Sequence, residues 1–489
     1  MIMYNEEKKS IFRSLDWTTI CLYVVLATWG WFSVCGASYD FSNPDVFGMD
    51  TNSGKQLLWI CTSLCLACML LFIEKDFWDK YAFHFYLFMI GMLMLTIVIA
   101  PETKGSRSWL PIGTFMKIQP AEFAKFTVAL AIGKLMNRYG YNIHIYKDFV
   151  KVVCLILLPM VLIICQKETG TALVYLSFFL VLYREGMTGA FLFSAFAAVL
   201  YFVVGIRFGE EYFTSMPASI GEFTVLIVSQ FFSIGMLYVF CRNWRAVKIM
   251  LIGGGGISLL SILFSVYVIP FNICYVLLAV NILIILYIIV LAFYHRKLRY
   301  WLVGLFALGS TGFYYMCNTM FNSLDDHQRV RIEVLLGMKE DLRGAGYNVN
   351  QAKIAIGSGG FTGKGFLNGT QTKLRYVPEQ DTDFIFCTVG EEEGFLGASA
   401  VLLVYLLFIW RLIALAERQP DTLGRVYGYS VLSIFLFHLF INVGMVLGLT
   451  PVIGIPLPFF SYGGSSLWGF TILLFIFLRM DAERNFKRR

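Results

Sequence analysis

Charged residues are scarce: 15% of the 489 positions, where soluble domains carry about 25%. A soluble chain of this length would fold as about three domains, and it would lack the polar surface to cover them. With 58% hydrophobic and 17% aromatic residues, a soluble multidomain enzyme and a disordered chain are both disfavoured. Histidines are few and scattered. His84, His144, His295, His327 and His438 have no metal-ligand partner at helical spacing, and no Ser/His/Asp set is legible. Nor do the cysteines form a disulfide framework. Cys21, Cys61, Cys65, Cys68, Cys154, Cys165, Cys241, Cys274 and Cys317 lie in apolar runs, as small lipid- or core-facing residues do. No spacing among them resembles a zinc site, so no metal site is expected from the protein itself. A cleavable signal peptide is not expected, since the run 17–36 is long and no clear cleavage site follows it. The net charge of +7 falls largely between apolar runs and does not suggest a nucleic-acid partner. What remains is an all-α polytopic integral membrane protein.

The apolar runs bear this out in length. They lie near 18–36, 56–74, 81–100, 121–137, 148–165, 170–183, 189–207, 223–241, 248–269, 272–294, 300–318, 395–416, 427–449 and 466–479. That makes about fourteen candidate transmembrane helices, each near the roughly 20 residues a bilayer needs. Lys8, Lys9 and Arg13 precede the first run and set the N-terminus inside. The inside segments are then 134–151, 242–248, 295–299 and 479–489, all basic, while the outside segments 38–55 and 207–222 are acidic. The alternation predicts an even number of spans with both termini cytoplasmic. Three parts are expected: an N-terminal membrane core at 1–183, further helices at 184–299, and a C-terminal core at 300–489. The last part includes a large extracytoplasmic loop at 319–394. Gly253 to Gly256 fall inside a run and read as close helix packing at small residues.

Three segments on the expected outer face depart from simple loops. Residues 319–394 are polar and glycine-rich, and loops of this length are usually functional. Residues 101–119 carry Lys104, Arg107 and Lys117 against the charge rule. Residues 450–465 read TPVIGIPLPFFSYGGS, whose prolines and glycines force non-helical backbone near membrane depth. Such backbone is tolerated only where protein or water lines it. Together the three suggest one extracytoplasmic site. Pro120 suits the first turn of a helix, and Glu122 and Lys125 then share a face as functional candidates inside a span, or as a structural ion pair. GSGGFTGKG at 357–365 lacks the spacing of a nucleotide-binding phosphate loop, yet its backbone N–H groups suit a membrane-borne pyrophosphate. Asp383 stands directly before an apolar run, where a carboxylate suits a general base or, more blandly, a helix cap. Glu391, Glu392 and Glu393 follow, as a solvated patch or as structure at the site.

These segments together resemble the SEDS family of bacterial cell-wall polymerases (shape, elongation, division, sporulation). The matching pieces are GSRSWLPIGTFMKIQPAEFAK at 105–125, QKETGT at 166–171, HQRVR at 327–331, GAGYNVNQAKIAIGSGGFTGKGFLNGTQT at 344–372, VPEQDTDFIF at 377–386 and GMVLGLTPVIGIPLPFFSYGGSS at 444–466. GAGY, AIGSGG, GKG and NGTQ look like the elongation member of the family rather than the division member. The resemblance implies a peptidoglycan glycosyltransferase that polymerises lipid II. It implies as partners a class B penicillin-binding protein, which supplies the transpeptidase, and other membrane proteins of the elongation complex. It places the chain in the cytoplasmic (inner) membrane.

Carried over residue by residue, the family's essential carboxylate falls on Asp383. Its QPSE…K motif falls on Gln119, Pro120, Ala121, Glu122 and Lys125, and its tryptophan on Trp109. Ala121 replaces the usual serine. In QKETGT, Lys167 stands for proline and Glu168 for aspartate, so the carboxylate survives one methylene longer. Of the usual LDPxxDP stretch, Asp341 alone remains. Family members have about ten spans, so about four extra crossings between 184 and 318 are implied. In the implied reaction Asp383 is the base, and Arg107, Lys117, Lys125, Arg329 and Lys364 are the basic candidates for the pyrophosphate. No organic cofactor is expected, and a divalent cation on the pyrophosphate is compatible with the pattern. A lipid II flippase and a non-catalytic scaffold for the transpeptidase are the alternatives.

Overall fold

The computed structural model describes residues 11–39, 45–103, 105–113, 116–339 and 346–484. Lys8, Lys9, Lys104, Asp341 and the tail beyond 484 lie outside the described residues, as do the side chains of His327 and Arg331. Every expected apolar run is helical. In chain order the helices are α1 (Trp17–Ser38), α2 (Asn52–Phe72), α3 (Lys75–Ile99), α4 (Pro120–Met136), α5 (Tyr146–Cys165), α6 (Thr169–Arg184), α7 (Ala190–Arg207), α8 (Ile220–Cys241), α9 (Trp244–Tyr267), α10 (Cys274–His295), α11 (Leu298–Asn322), α12 (Asp326–Leu335), α13 (Tyr347–Gly359), α14 (Ile385–Glu392), α15 (Gly394–Glu417), α16 (Thr422–Leu447) and α17 (Gly464–Glu483). A two-stranded hairpin, β1 (Leu110–Ile112) and β2 (Met116–Ile118), precedes α4.

Eleven of these helices are long and apolar enough to cross a membrane: α1–α3, α5, α7–α10 and α15–α17. The chain is a multi-pass membrane protein. Of the other three expected runs, α4 has 17 residues, and α6 is shorter and tightened at Tyr175–Ser177. The third, α11, runs for 25 residues with Arg299, Asn318 and Asn322 among its apolar positions. The long polar segment expected as a loop is largely ordered: α11 extends into it, and α12, α13 and α14 follow.

The chain divides into two compact units. The first comprises residues 1–187 and 347–489, the second 188–346. Residues 300–346, expected with the C-terminal core, thus fall in the second unit with the helices from 188 onward.

In the first unit α4 sits at the centre, packed against α3, α16 and α17. Its alanines and glycine (PAEFAKFTVALAIGK) let neighbouring backbones approach closely. Accordingly α17 is 83% buried, far more than a lipid-facing helix. One end of the bundle is closed by ion pairs. Asp16 caps α1 through Thr19 N at 3.1 Å and pairs with Arg411. Arg418 pairs with Asp481, Lys75 with Asp421, and Arg425 with Glu185 at 2.8 Å. At the other end the non-helical segments gather.

The second unit holds α7–α12 around an apolar cluster that includes Leu237, Ile284, Ile288 and Val303. Buried amides supply polar contacts within it. Asn281 Nδ2 donates to Leu226 O and Ser229 Oγ, both at 3.2 Å, and Ser258 Oγ donates to Gln230 Oε1 at 3.1 Å. Of the four glycines read as packing residues, Gly254 alone meets a neighbour, Ile284 and Val280. The other three face open space.

Candidate active site

The site is built where four non-helical segments of the first unit meet. Residues 110–112 and 116–118 pair as an antiparallel hairpin, Leu110 opposite Ile118. Ser465 ties its end to the start of α17, accepting from Gln119 N at 3.3 Å and donating to Lys117 O at 3.2 Å. The irregular segment before the hairpin binds the 166–171 turn: Arg107 N donates to Gln166 O at 3.0 Å, and Ser108 Oγ to Glu168 Oε2 at 2.8 Å. That turn rests on the 450–466 segment. A Cβ on Gly170 would stand 2.1 Å from Ile453 O, so only glycine fits. The fourth segment, 381–384, is held by Asp381. Its carboxylate accepts from Asn52 Nδ2 at 2.6 Å and its carbonyl from Tyr462 N at 2.9 Å.

Asp383 follows two residues later, half-buried, just before the eight-residue helix α14. Asn442 Nδ2 donates to its carbonyl at 2.8 Å and to Ile455 O at 2.7 Å. Its carboxylate faces Gly454, where a Cβ would stand 3.2 Å from Oδ2. Gly454 has φ +68°, in the left-handed region. The irregular 450–465 segment therefore lies against the carboxylate expected to do the chemistry. An N-capping role does not account for Asp383, because the cap position of α14 is Phe384.

The other expected residues fall into distinct settings. Arg107 and Lys117 are exposed, with Arg107 near Glu102 at 3.5 Å, and Trp109 is half-buried beside them. Glu168 ties its turn to Ser108. Glu122 and Lys125 form a buried pair at 2.8 Å. The Lys125 ammonium also meets His438 Nε2 at 3.2 Å and lies over the Phe470 ring at 4.7 Å. With 0% exposure, Lys125 is enclosed by protein. Arg329 belongs to the second unit, where it bonds Glu333 at 2.9 Å and lies over Phe321.

Lys364 is neutralised by Glu391 at 2.7 Å. Burial alone would raise the Glu391 carboxyl. Lys364, with the N–H groups of Gln371 and Thr372 at 2.8 and 2.9 Å, outweighs it and holds the group below the ordinary carboxylate range. The glycine-rich loop also differs from expectation. Gly363 N donates to Gly359 O, Lys364 N to Glu391 O and Gly365 N to Glu392 O. The first closes the turn after α13, the other two hold the loop on the end of α14, and none of the three is turned toward an anion.

Sequence reasoning missed Asn442, His438, Asn52 and Ser465. Asn442, His438 and Ser465 act through backbone groups of distant segments and Asn52 through the Asp381 carboxylate, and such pairings leave no local spacing signal. Among the described residues, no group of three or more His, Cys, Asp or Glu side chains stands close enough to hold a metal ion.

Comparison with known proteins follows the same lines. The FtsW/RodA/SpoVE cell cycle protein family matches residues 16–218 and 260–486, leaving α8 and the first part of α9 outside. The peptidoglycan glycosyltransferase RodA of Treponema pallidum is 30% identical over 437 residues, 88% of this chain and 89% of the relative. The peptidoglycan glycosyltransferase MrdB of Escherichia coli K12 is 26% identical over 466 residues, 95% of this chain and 93% of the relative. A chain from a structure on coordination of polymerization and crosslinking by a peptidoglycan synthase complex superposes with TM-score 0.59 at 21% identity, over 96% of this chain and 98% of that one. A single-site mutant of the Thermus thermophilus rod shape determining protein RodA gives TM-score 0.54 at 20% identity, again over 96% and 98%. These two likenesses speak for the fold. With a family match that spans most of its length, the chain belongs to the FtsW/RodA/SpoVE family of cell cycle proteins.

Proposed function

We propose that the chain is a peptidoglycan glycosyltransferase that polymerises lipid II into β-1,4 glycan strands during cell elongation. The glycosyltransferase assignment follows from family membership and from relatives bearing that name. The catalytic reading rests on one observation: a half-buried carboxylate, Asp383, held by its own backbone against an irregular, glycine-bearing segment at the gathered end of the bundle.

The chemistry is an inverting displacement. The 4-hydroxyl oxygen of an N-acetylglucosamine attacks C1 of an N-acetylmuramic acid carried on undecaprenyl pyrophosphate. The new C1–O bond forms as the C1–O(phosphate) bond breaks, and the hydroxyl proton goes to Asp383. Pyrophosphate departs as an anion and needs no proton, so one carboxylate suffices where a glycosidase uses two. The departing charge needs cations. Arg107 and Lys117 are exposed on the segment tied to α17, which favours them over Lys125, enclosed with Glu122, and Lys364, paired with Glu391. A divalent cation would arrive with the pyrophosphate as part of the substrate. The gathered end faces the outside of the cytoplasmic membrane, both termini lie inside, and a class B penicillin-binding protein crosslinks the product alongside other elongation proteins.

The test is lipid II polymerisation by purified chain with its transpeptidase partner. Asp383→Asn is expected to lower the rate by about 100-fold or more while leaving the protein folded. Undiminished glycan chains from that variant would sink the assignment of Asp383 as the base, whereas no polymer from the wild-type chain would favour a scaffold or flippase.

A further inference from the structure

The buried face of α16 carries two side chains to which the reaction above gives no task, His438 and Asn442, one turn apart. Resting on the reading of Asp383 as the base, we propose that Asn442 and His438 are positioning residues that set the Asp383 carboxylate against the 454–456 segment. Both are enclosed, at 0% and 1% exposure.

The Asn442 amide has two hydrogens. It gives one to Asp383 O at 2.8 Å and the other to Ile455 O at 2.7 Å. One planar group therefore locks together two segments far apart in sequence. One locked carbonyl belongs to the residue whose carboxylate must meet the substrate hydroxyl. The other belongs to the neighbour of Gly454, the residue that Asp383 Oδ2 faces. Moving the amide changes the direction of the carboxylate and the wall beside it together.

His438 fixes the next residue along. Its Nδ1 lies 3.0 Å from Pro456 O, which can only accept, so Nδ1 carries the hydrogen. The Nε2 lone pair is then free to accept from Lys125 Nζ at 3.2 Å. Lys125 in turn bonds Glu122 at 2.8 Å. The ring is held at both ends in one tautomer, as second-layer partners hold a functional histidine. Lys125 and Glu122 thus reach the active segment through His438 and Pro456. This accounts for an ion pair inside a helix bundle without giving it contact with pyrophosphate.

A general base must lie within hydrogen-bond reach of its proton. Displacement by about 1 Å costs on the order of 100-fold in rate. The experiment measures steady-state lipid II polymerisation by the full chain with its transpeptidase partner. It compares wild type, Asn442→Ala, Asn442→Asp and Asn442→Ser. Asn442→Asp keeps the shape but turns the donor into an acceptor facing two carbonyls. Asn442→Ser keeps a single donor too short to reach both, and serves should the larger changes not accumulate.

Expected is a fall in kcat of roughly 10- to 100-fold. The KM for lipid II should hold within about 2-fold, the acid limb of the pH–rate profile should move, and the thermal midpoint should stay close to wild type. Unchanged kcat overturns the proposal, and so does a loss confined to KM. A loss that merely tracks the thermal midpoint across the three variants also overturns it, in favour of a purely structural bond. Asp383→Asn is run in parallel. If it polymerises, the base reading and this inference fall together. If it is inactive while the Asn442 variants behave as wild type, this inference alone falls.

Discussion

Three consecutive glutamates, Glu391 to Glu393, end in three different settings. Glu391 closes the turn Thr370–Lys373 by accepting from two of its N–H groups. Glu393 accepts the Trp29 indole N–H at 2.8 Å. Glu392 packs its carboxyl on Gly36 of α1 at 4% exposure, and among the described residues its Oε1 has no hydrogen-bond partner, although the Leu367 N–H serves the same carboxyl. Burial pushes this carboxyl up to about 7 from an ordinary value of 4.5. The folded state therefore holds the proton more tightly than the unfolded chain does. The cost of burying the group is absent below pH 4.5, grows as pH rises, and is complete above pH 7. Its upper bound is on the order of 3 kcal/mol. Glu392→Gln should accordingly raise the thermal midpoint over wild type at pH 8, with the gain vanishing near pH 5. Parallel pH dependence in the two proteins would contradict this. In the sequence the three residues form one acidic run. Their division became visible only when α1 and the 363–374 segment were brought against them.

At the scale of elements, the sequence announces helices far better than it announces what lies between them. A run of apolar residues near bilayer length can satisfy its backbone only as a helix, so every expected run is helical. The hairpin at 110–118 was not legible. Its strands have three residues each, the first with Pro111 at its centre, below the length at which alternation can be read. The place of Asp383 before an apolar run singles it out as either a base or a helix cap, whereas the side chains that hold its backbone leave no such mark in the sequence.

The 166–171 turn carries a further consequence. Where the family pattern has proline, this chain has Lys167 at φ +60°, and Lys167 N donates to Ile164 O at 2.9 Å. Proline can adopt neither feature, since its ring fixes φ near −65° and it lacks the N–H. Lys167→Pro should therefore cost about 3 kcal/mol and lower the thermal midpoint by several degrees, while Lys167→Gly should match or exceed wild type. A Lys167→Pro protein as stable as wild type would show that the turn adopts another backbone.

For the whole molecule, the remaining question is parity. The ion pairs at one end of the first unit include Arg411, Arg418 and Arg425. These three arginines are consumed in structure, so charge counting alone is a weaker guide than it looks. The count of crossings supplies an independent constraint. Between the exposed residues Asn142 and Asn368 the candidate crossings are the seven helices α5 to α11, α12 and α13 being too short to span. If all seven cross, the two positions face opposite sides. If the short α6 or the more polar α11 does not cross, parity changes and they face the same side. A charged maleimide that cannot enter lipid reads this directly, with wild type as the background for native thiols. Asn368→Cys should label on intact cells, and Asn142→Cys only after the membrane is opened. Labelling of both from outside would remove an odd number of crossings. It would also contradict the even span count, on which the placement of Asp383 outside and both termini inside depends.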